Sequence, residues 1–415
     1  MELQWYVGVD WGKSEHQVCL LNATGEHVAE RKIRHTGIGF TELAMWLSEQ
    51  TNQAETASIG VALETSSGPV VDCLLALDYG VFAINPKQAD RFRDRYSPAG
   101  AKDDRRDALV LATALFLEPQ ALRILEAPDA DMLELRERHR MREQLLRNKL
   151  GLALKIRQSL WRYYPHFESL FGTNIGLPFI QVLWEHMPNP EAARHRRKNS
   201  VEKILKAHKI RRFQADKILE QLRAERLPVT TTTARLLQEQ IKLLFQQLAL
   251  VQQQLQEVTH QLETKLKGLS TSTSATDISG TNPAKPSDRD ILASMPGVGT
   301  IVLANLLGEA GQAIRNRDYA ALRCLTGIAP VTKRSGKSYR VQRRRAANPW
   351  LVDSIYHWAR IAAQRDPLCR QRYQALRARG HTHGRALRSV ADRLLAVACA
   401  MLKTGTLYRR TIAET

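Results

Sequence analysis

The start of the chain alternates as strands do, over Trp5 to Asp10, His16 to Leu21 and His27 to Ile33, with a Gly-Lys-Ser turn and Gly25 between these runs. A period of two predicts strands, and tight turns between consecutive strands predict an antiparallel meander. The period lengthens to that of an amphipathic helix around Phe40 to Leu47. A strand over Ser58 to Leu63, a helix near Val70 to Leu77 and a strand over Val81 to Ile84, closed by Asn85-Pro86, complete a βββαβαβ succession. This order predicts an α/β domain with an RNase H-like (RuvC-like) fold, although an actin-like sugar kinase begins similarly.

Helical spacing then takes over, from Asp103 to Phe116 and along a charged, Leu-rich stretch from Ala130 to Tyr164, with a polar helical region to about Arg226. Leu237, Ile241, Leu244, Leu248, Val251, Leu255, Val258 and Leu262 follow an unbroken 4-3 spacing. That is a coiled-coil seam, paired with the Ala130 to Tyr164 helix or with another subunit. Ser270 to Pro286, rich in Ser, Thr, Gly and Pro, reads as a linker. Pro296-Gly297-Val298-Gly299, between two short helical patterns, resembles a helix-hairpin-helix turn whose glycines let backbone amides approach a phosphate. The expected organisation is an RNase H-like domain over 1–127, a helical and coiled-coil region over 128–268, a linker over 269–288 and a mostly helical C-terminal domain over 289–415.

Composition narrows the partners. At 415 residues and 43% hydrophobic content, two or three domains are expected. Lys and Arg outnumber Asp and Glu by 61 to 42, a net charge of +19, which suits a polyanion. The charge is clustered, with Lys333, Arg334, Lys337, Arg340, Arg343, Arg344 and Arg345 in one short segment. No stretch approaches the roughly 18 apolar residues of a spanning helix, so no membrane partner is expected. With no secretion signal, a cytoplasmic, nucleoid-associated bacterial protein is the expectation. The five widely spaced cysteines lack a C-x-x-C pair and read as reduced packing residues.

Asp10 and Glu64 each end an apolar strand, at the rim of a sheet. Asp104 and Asp107 stand three apart at a helix start, on one face, near Lys102, Arg105 and Arg106. Four oxygen donors of this kind suit Mg²⁺, and two ions roughly 3.5–4 Å apart stabilise attacking and leaving oxygens in phosphoryl transfer. The competing explanation of the aspartate pair is helix capping, a role Asp103 can also fill.

Val7-Gly-Val-Asp10 with Lys13 behind it, Ala62-Leu-Glu64-Thr-Ser-Ser-Gly68, Ile84-Asn-Pro86 and Lys102-Asp-Asp104-Arg-Arg-Asp107-Ala108 resemble the N-terminal domain of the DEDD transposases of the insertion-sequence family "one-ten", in its "eleven-eleven" branch, relatives of the Piv DNA invertases. The resemblance resumes at Met295-Pro-Gly-Val-Gly299, Leu325-Thr-Gly-Ile-Ala-Pro330 and Ser335-Gly-Lys-Ser-Tyr-Arg340. It implies a recombinase guided by a bridge RNA that pairs with donor and target DNA, with Asp10, Glu64, Asp104 and Asp107 as its acidic, Mg²⁺-binding quartet and Ser335 as nucleophile. Asp103 departs from the family, which usually has Thr or Ser there.

From composition alone, Ser335 in a basic loop would only contact phosphate, and the motif reverses that order; Ser338 is its nearest competitor. The cationic residues around it are expected to clamp phosphates of DNA or guide RNA. The front and rear domains are expected to serve one composite site, in a homodimer or homotetramer. The alternative function is a metal-dependent RNase H-like nuclease or junction resolvase without serine catalysis.

Overall fold

The computed structural model describes residues 3–95, 103–127, 129–224, 227–272, 286–336 and 338–409, which form two compact units, Met1–Asp129 and Ala130–Thr415. Most of the expected Ser270 to Pro286 linker lies outside the described residues. All five cysteines are free thiols.

The first unit is built on a six-stranded sheet in the order β3-β2-β1-β4-β5-β6. β1 (Trp5–Trp11), β2 (Glu15–Leu21) and β3 (His27–Arg34) form the antiparallel meander, while β1, β4 (Ile59–Leu63) and β5 (Gly80–Ala83) run parallel. A short β6 (Arg123–Leu125), which the apolar pattern does not reveal, pairs antiparallel with β5. Helices α1 (Gly37–Gln50) and α2 (Pro69–Ala76) cover one face through Leu43, Leu47 and Leu74. Helices α3 (Pro86–Asp94) and α4 (Asp104–Leu117) cover the other through Phe92, Leu111 and Leu115. The central β4 is buried throughout, because both of its faces are covered, and so it reads as an unbroken apolar run. Edge strand β3 keeps a mostly exposed surface and with it the alternation.

In the second unit, α5 (Ala130–Tyr163) and α11 (Thr231–Ser272) run antiparallel, as the Ser159–Gln240 hydrogen bond and the Lys265–Asp131 ion pair at 2.7 Å require. The heptad seam is engaged within the chain: Leu237, Ile241, Leu244 and Leu248 share a core with Ile156 and Leu160 of α5. That core is completed by α6 (Pro165–Phe171), α7 (Pro178–His186), α8 (Pro190–Arg194), α9 (Lys198–Ala207) and α10 (Ala215–Leu222). At the other end of the helix pair, Leu135, Leu262 and Leu266 join a second core with α12 (Asp288–Ser294), α13 (Thr300–Arg315), α14 (Tyr319–Leu325), α15 (Pro349–Arg365), α16 (Pro367–Ala378) and α17 (His383–Thr404). Trp358 of α15, fully buried, is its largest side chain. Between α14 and α15 a two-stranded ribbon, β7 (Val331–Ser335) and β8 (Ser338–Gln342), projects from this core. Among the described residues no helix is long and apolar enough to cross a membrane.

Candidate functional site

Two neighbouring parallel strands direct the first pair of acids. Gly8 of β1 is in register with Ala62 of β4, and both face α4. Ala62 packs with Val110 and Leu111, and a Cβ at position 8 would stand 1.9 Å from the Ala108 carbonyl oxygen. Side chains alternate along a strand, so Asp10 and Glu64, two positions further on, follow on the α4 side at the strands' C-terminal ends. Both are half-buried.

The other two acids come from the first turn of α4. Asp103 is its N-cap, accepting a hydrogen bond from the Arg105 backbone N–H at 3.3 Å. Capping therefore does not require Asp104 or Asp107. Asp107 is only 3% exposed. Asp104 is exposed and lies towards β3: the pKa of Lys32 is raised first by its hydrogen bond to Glu15, with Asp104 adding to it. Lys102 lies outside the described residues.

The centre of the arrangement is Arg93 on α3, which the motifs do not single out. Its Nε donates to Asp107 Oδ1 at 2.6 Å, one terminal nitrogen to Asp90 Oδ1 at 2.6 Å and the other to Glu64 Oε1 at 3.4 Å. One guanidinium thus draws together Glu64 and Asp107, 43 residues apart in sequence. As placed, no three Asp, Glu, His or Cys side chains among the described residues stand close enough to hold a metal ion. The donor set still suits a hard divalent cation, being oxygen throughout, and a positive charge already sits between two of its members in the form of Arg93. In the sequence Arg93 is one of three arginines interleaved with Asp90 and Asp94; only the packing of α3 on α4 turns it towards the carboxylates.

The second constellation lies on the ribbon. Ser335 was expected in a loop; it is instead the last residue of β7, paired with Ser338 across the turn, where Gly336 has φ +52°. Val331, Tyr339 and Val341 flanking a Ser-Gly-Lys-Ser turn are the legible hairpin signal. Lys333 stands directly opposite Arg340, two residues from the Ser335–Ser338 pair and so on the same face. Arg334 and Tyr339 pair on the opposite face. Arg343 and Arg345 are exposed, while Arg344 is half-buried and its Nε has no hydrogen-bond partner among the described residues. Lys337 lies outside the described residues. No His, Asp or Glu among the described residues hydrogen-bonds Ser335.

The Pro296 to Gly299 turn departs in part from its expected role. Gly297, at φ +83°, is pressed against α15: a Cβ there would lie 2.7 Å from the Ala362 nitrogen, and Trp358 Nε1 donates to Pro296 O at 2.9 Å. That glycine serves close helix packing, whereas Gly299 at the start of α13 remains open.

Comparison with known proteins accords with both halves. A family model for DEDD transposases of the IS110 type matches residues 7–165, and one described as "Transposase IS116/IS110/IS902 family" matches residues 289–374. A putative transposase y4uE of Sinorhizobium fredii is 43% identical over 210 residues, 51% of this chain and 58% of that protein. The mini-circle putative transposase for IS117 of Streptomyces coelicolor is 30% identical over 402 residues, covering 94% of this chain and 92% of that protein. The insertion element IS110 uncharacterized 43.6 kDa protein of the same organism is 28% identical over 411 residues, 97% of this chain and 95% of that protein. The acid-bearing sheet and the basic ribbon thus fall within two family models and within one nearly full-length relative, and the chain belongs to the IS110 family of transposases, enzymes that cut and rejoin DNA.

Proposed function

We propose that this transposase cuts and rejoins donor and target DNA through a covalent phosphoserine, with Ser335 as nucleophile, Asp10, Glu64, Asp104 and Asp107 as ligands of Mg²⁺, and a bridge RNA as guide. The first unit is assigned an RNase H-like fold on its strand order. The observation that carries the proposal is the placement of Ser335 at the tip of an exposed ribbon, on the face that bears the Lys333–Arg340 pair. Two cations side by side with no acid opposite them suit a phosphodiester and the charge that develops on it. Ser335 Oγ attacks phosphorus; the Oγ–P bond forms, one ester oxygen departs as a deoxyribose hydroxyl and takes up a proton, and the serine proton is released. The reverse attack by a DNA hydroxyl restores the diester without an external energy source. A divalent ion held by the carboxylates would stabilise the attacking and leaving oxygens. Arg334, Lys337, Arg343, Arg344 and Arg345 hold backbone phosphates of DNA or guide RNA. The protein works as a homodimer or homotetramer.

The test is adduct trapping. With a suicide DNA substrate, denatured mixtures should contain DNA attached to the peptide bearing Ser335. Ser335→Ala should lose adduct and recombination together, while Ser338→Ala keeps both. Asp10→Ala, Glu64→Ala and Asp107→Ala should each abolish cleavage and retain nucleic-acid binding. If Ser335→Ala still releases free DNA ends at a normal rate, the carboxylates act with water as a nuclease and the serine only contacts phosphate.

A further inference from the structure

The ribbon is unlike every other element of the second unit. All of β8 and four of the five residues of β7 are exposed, on both faces, and Tyr339 and Val341 are 67% and 56% exposed. A two-stranded hairpin standing alone in water is marginally stable at best. This one also sets Lys333 directly against Arg340, a like-charge cross-strand pair, which is destabilising. The sequence offers no relief, since no Asp or Glu occurs between Asp318 and Asp353. Its base is nevertheless fixed: the Asn348 N–H donates to Leu325 O at 2.9 Å, and the Asn348 side chain donates to Glu309 at 2.7 Å. A firmly rooted element with unsatisfied charge and exposed apolar side chains is built for a partner that supplies both negative charge and apolar contact.

A second group of cations stands beside this base. Arg388 of α17 is half-buried and interacts with Arg343, just beyond β8, and with Arg385 one turn back; one of its terminal nitrogens lies 3.5 Å from where a Cβ on Gly384 would be. None of the three arginines has a carboxylate partner among the described residues. Burial, Arg343 and Arg385 together lower the Arg388 pKa, the signature of a cation held among cations. The start of α17, which carries both arginines, is anchored by His383, hydrogen-bonded to Tyr373 at 2.7 Å.

We propose that the β7–β8 ribbon docks in the major groove of duplex DNA, with Tyr339 and Val341 against base edges and thymine methyls, and that Arg385 and Arg388 grip the adjoining phosphate backbone. The B-DNA major groove admits a two-stranded ribbon, whereas the deep, narrow major groove of duplex RNA does not. This inference rests on the family's action on DNA and not on Ser335 being the nucleophile, so it is tested with full-length Ser335→Ala protein.

Duplex binding is measured against salt, with dimethyl sulfate footprinting of guanine N7 in the major groove and adenine N3 in the minor. Ser335→Ala protein should protect N7. Adding Tyr339→Ala and Val341→Ser should abolish N7 protection and leave the salt slope unchanged. Adding Arg385→Ala and Arg388→Ala should keep N7 protection at low salt and reduce the slope of log K against log salt by about 0.9 per lost phosphate contact, roughly 1.8 for the pair. Arg388→Lys should restore about half of that loss, and thermal melting should show every variant folded, since the altered side chains lie outside the cores. Protection of adenine N3 alone, unchanged footprints in the Tyr339 and Val341 variant, or equally Tyr339-dependent binding of duplex RNA would each overturn major-groove docking. An unchanged slope on loss of Arg385 and Arg388 would remove those residues from the surface.

Discussion

The acid site of the first unit and the cationic ribbon of the second are made in opposite ways. Around Asp107, charge is buried and compensated internally, with Arg93 bonded to three carboxylates and Asp107 almost inaccessible. Around Ser335, charge of one sign is exposed and left uncompensated. A buried ion pair is held by its surroundings, and removing one partner is costly because the other remains desolvated. An exposed cluster contributes little to the fold, and its repulsion is relieved only by a ligand. Substitutions at the acids should therefore disturb structure and chemistry together, whereas those on the ribbon should leave the fold intact, loss of its cations weakening binding and loss of Ser335 removing chemistry.

The strongest challenge to this contrast is Gly8→Val. Its side chain would occupy the space of the Ala108 carbonyl and Ala112 nitrogen, pushing α4 off β1. The expected cost is roughly 3 kcal/mol, with loss of cleavage, and it is read from urea unfolding of the first unit. Near-wild-type stability would mean that α4 does not depend on this close approach to position its acids. Asp107→Asn comes next. It leaves Arg93 facing a neutral amide and should cost about 3 kcal/mol as well as abolishing cleavage. The double variant with Arg93→Gln should recover part of the stability and none of the activity; strict additivity of the two changes would show that the pair is not coupled.

The second unit buries ionisable groups of its own, His139 among them. His139 is 2% exposed, edge-on to Trp350, and burial, helped by Arg142, lowers its pKa to about 4. Its folded pKa lies below the unfolded value, so the unfolded chain takes the proton first. The stability contribution is complete above about pH 6.5 and is lost as pH falls towards 4, on the order of 3 kcal/mol over that window. Unfolding of the second unit at pH 7 and pH 4.5 should show this loss, and His139→Gln should flatten it. Asp103→Ala should have the smallest effect, about 1 kcal/mol from a lost cap, with cleavage retained. If it inactivates the enzyme as Asp107→Ala is expected to, Asp103 belongs with the acids and not with the helix end.

The sequence was most legible where one local rule acted. Period-two alternation marked β1 to β3, the unbroken apolar run marked β4, and the 4-3 spacing marked α11. Asp103 as cap and Asp104 with Asp107 on the first turn also follow from positions along one helix. The ribbon is harder to read, because the dense charge around Ser335 obscures the β-branched and aromatic residues on either side of its turn. β6, three residues long, carries too little pattern to be seen alone.

What the sequence by itself determined is therefore the list of chemical groups and the local element that carries each of them: acids at strand ends and a helix start, a serine among cations, a helix with an apolar seam. Tertiary structure decided which of these groups meet. Gly8 admits α4 to the sheet, α3 turns Arg93 onto Glu64 and Asp107, and α5 engages part of the seam of α11. Periodicity reports which face of an element is apolar, but many surfaces satisfy an apolar face equally well. The choice among them is made by close packing and by pairing charges distant in sequence, and neither is encoded within a single window of the chain.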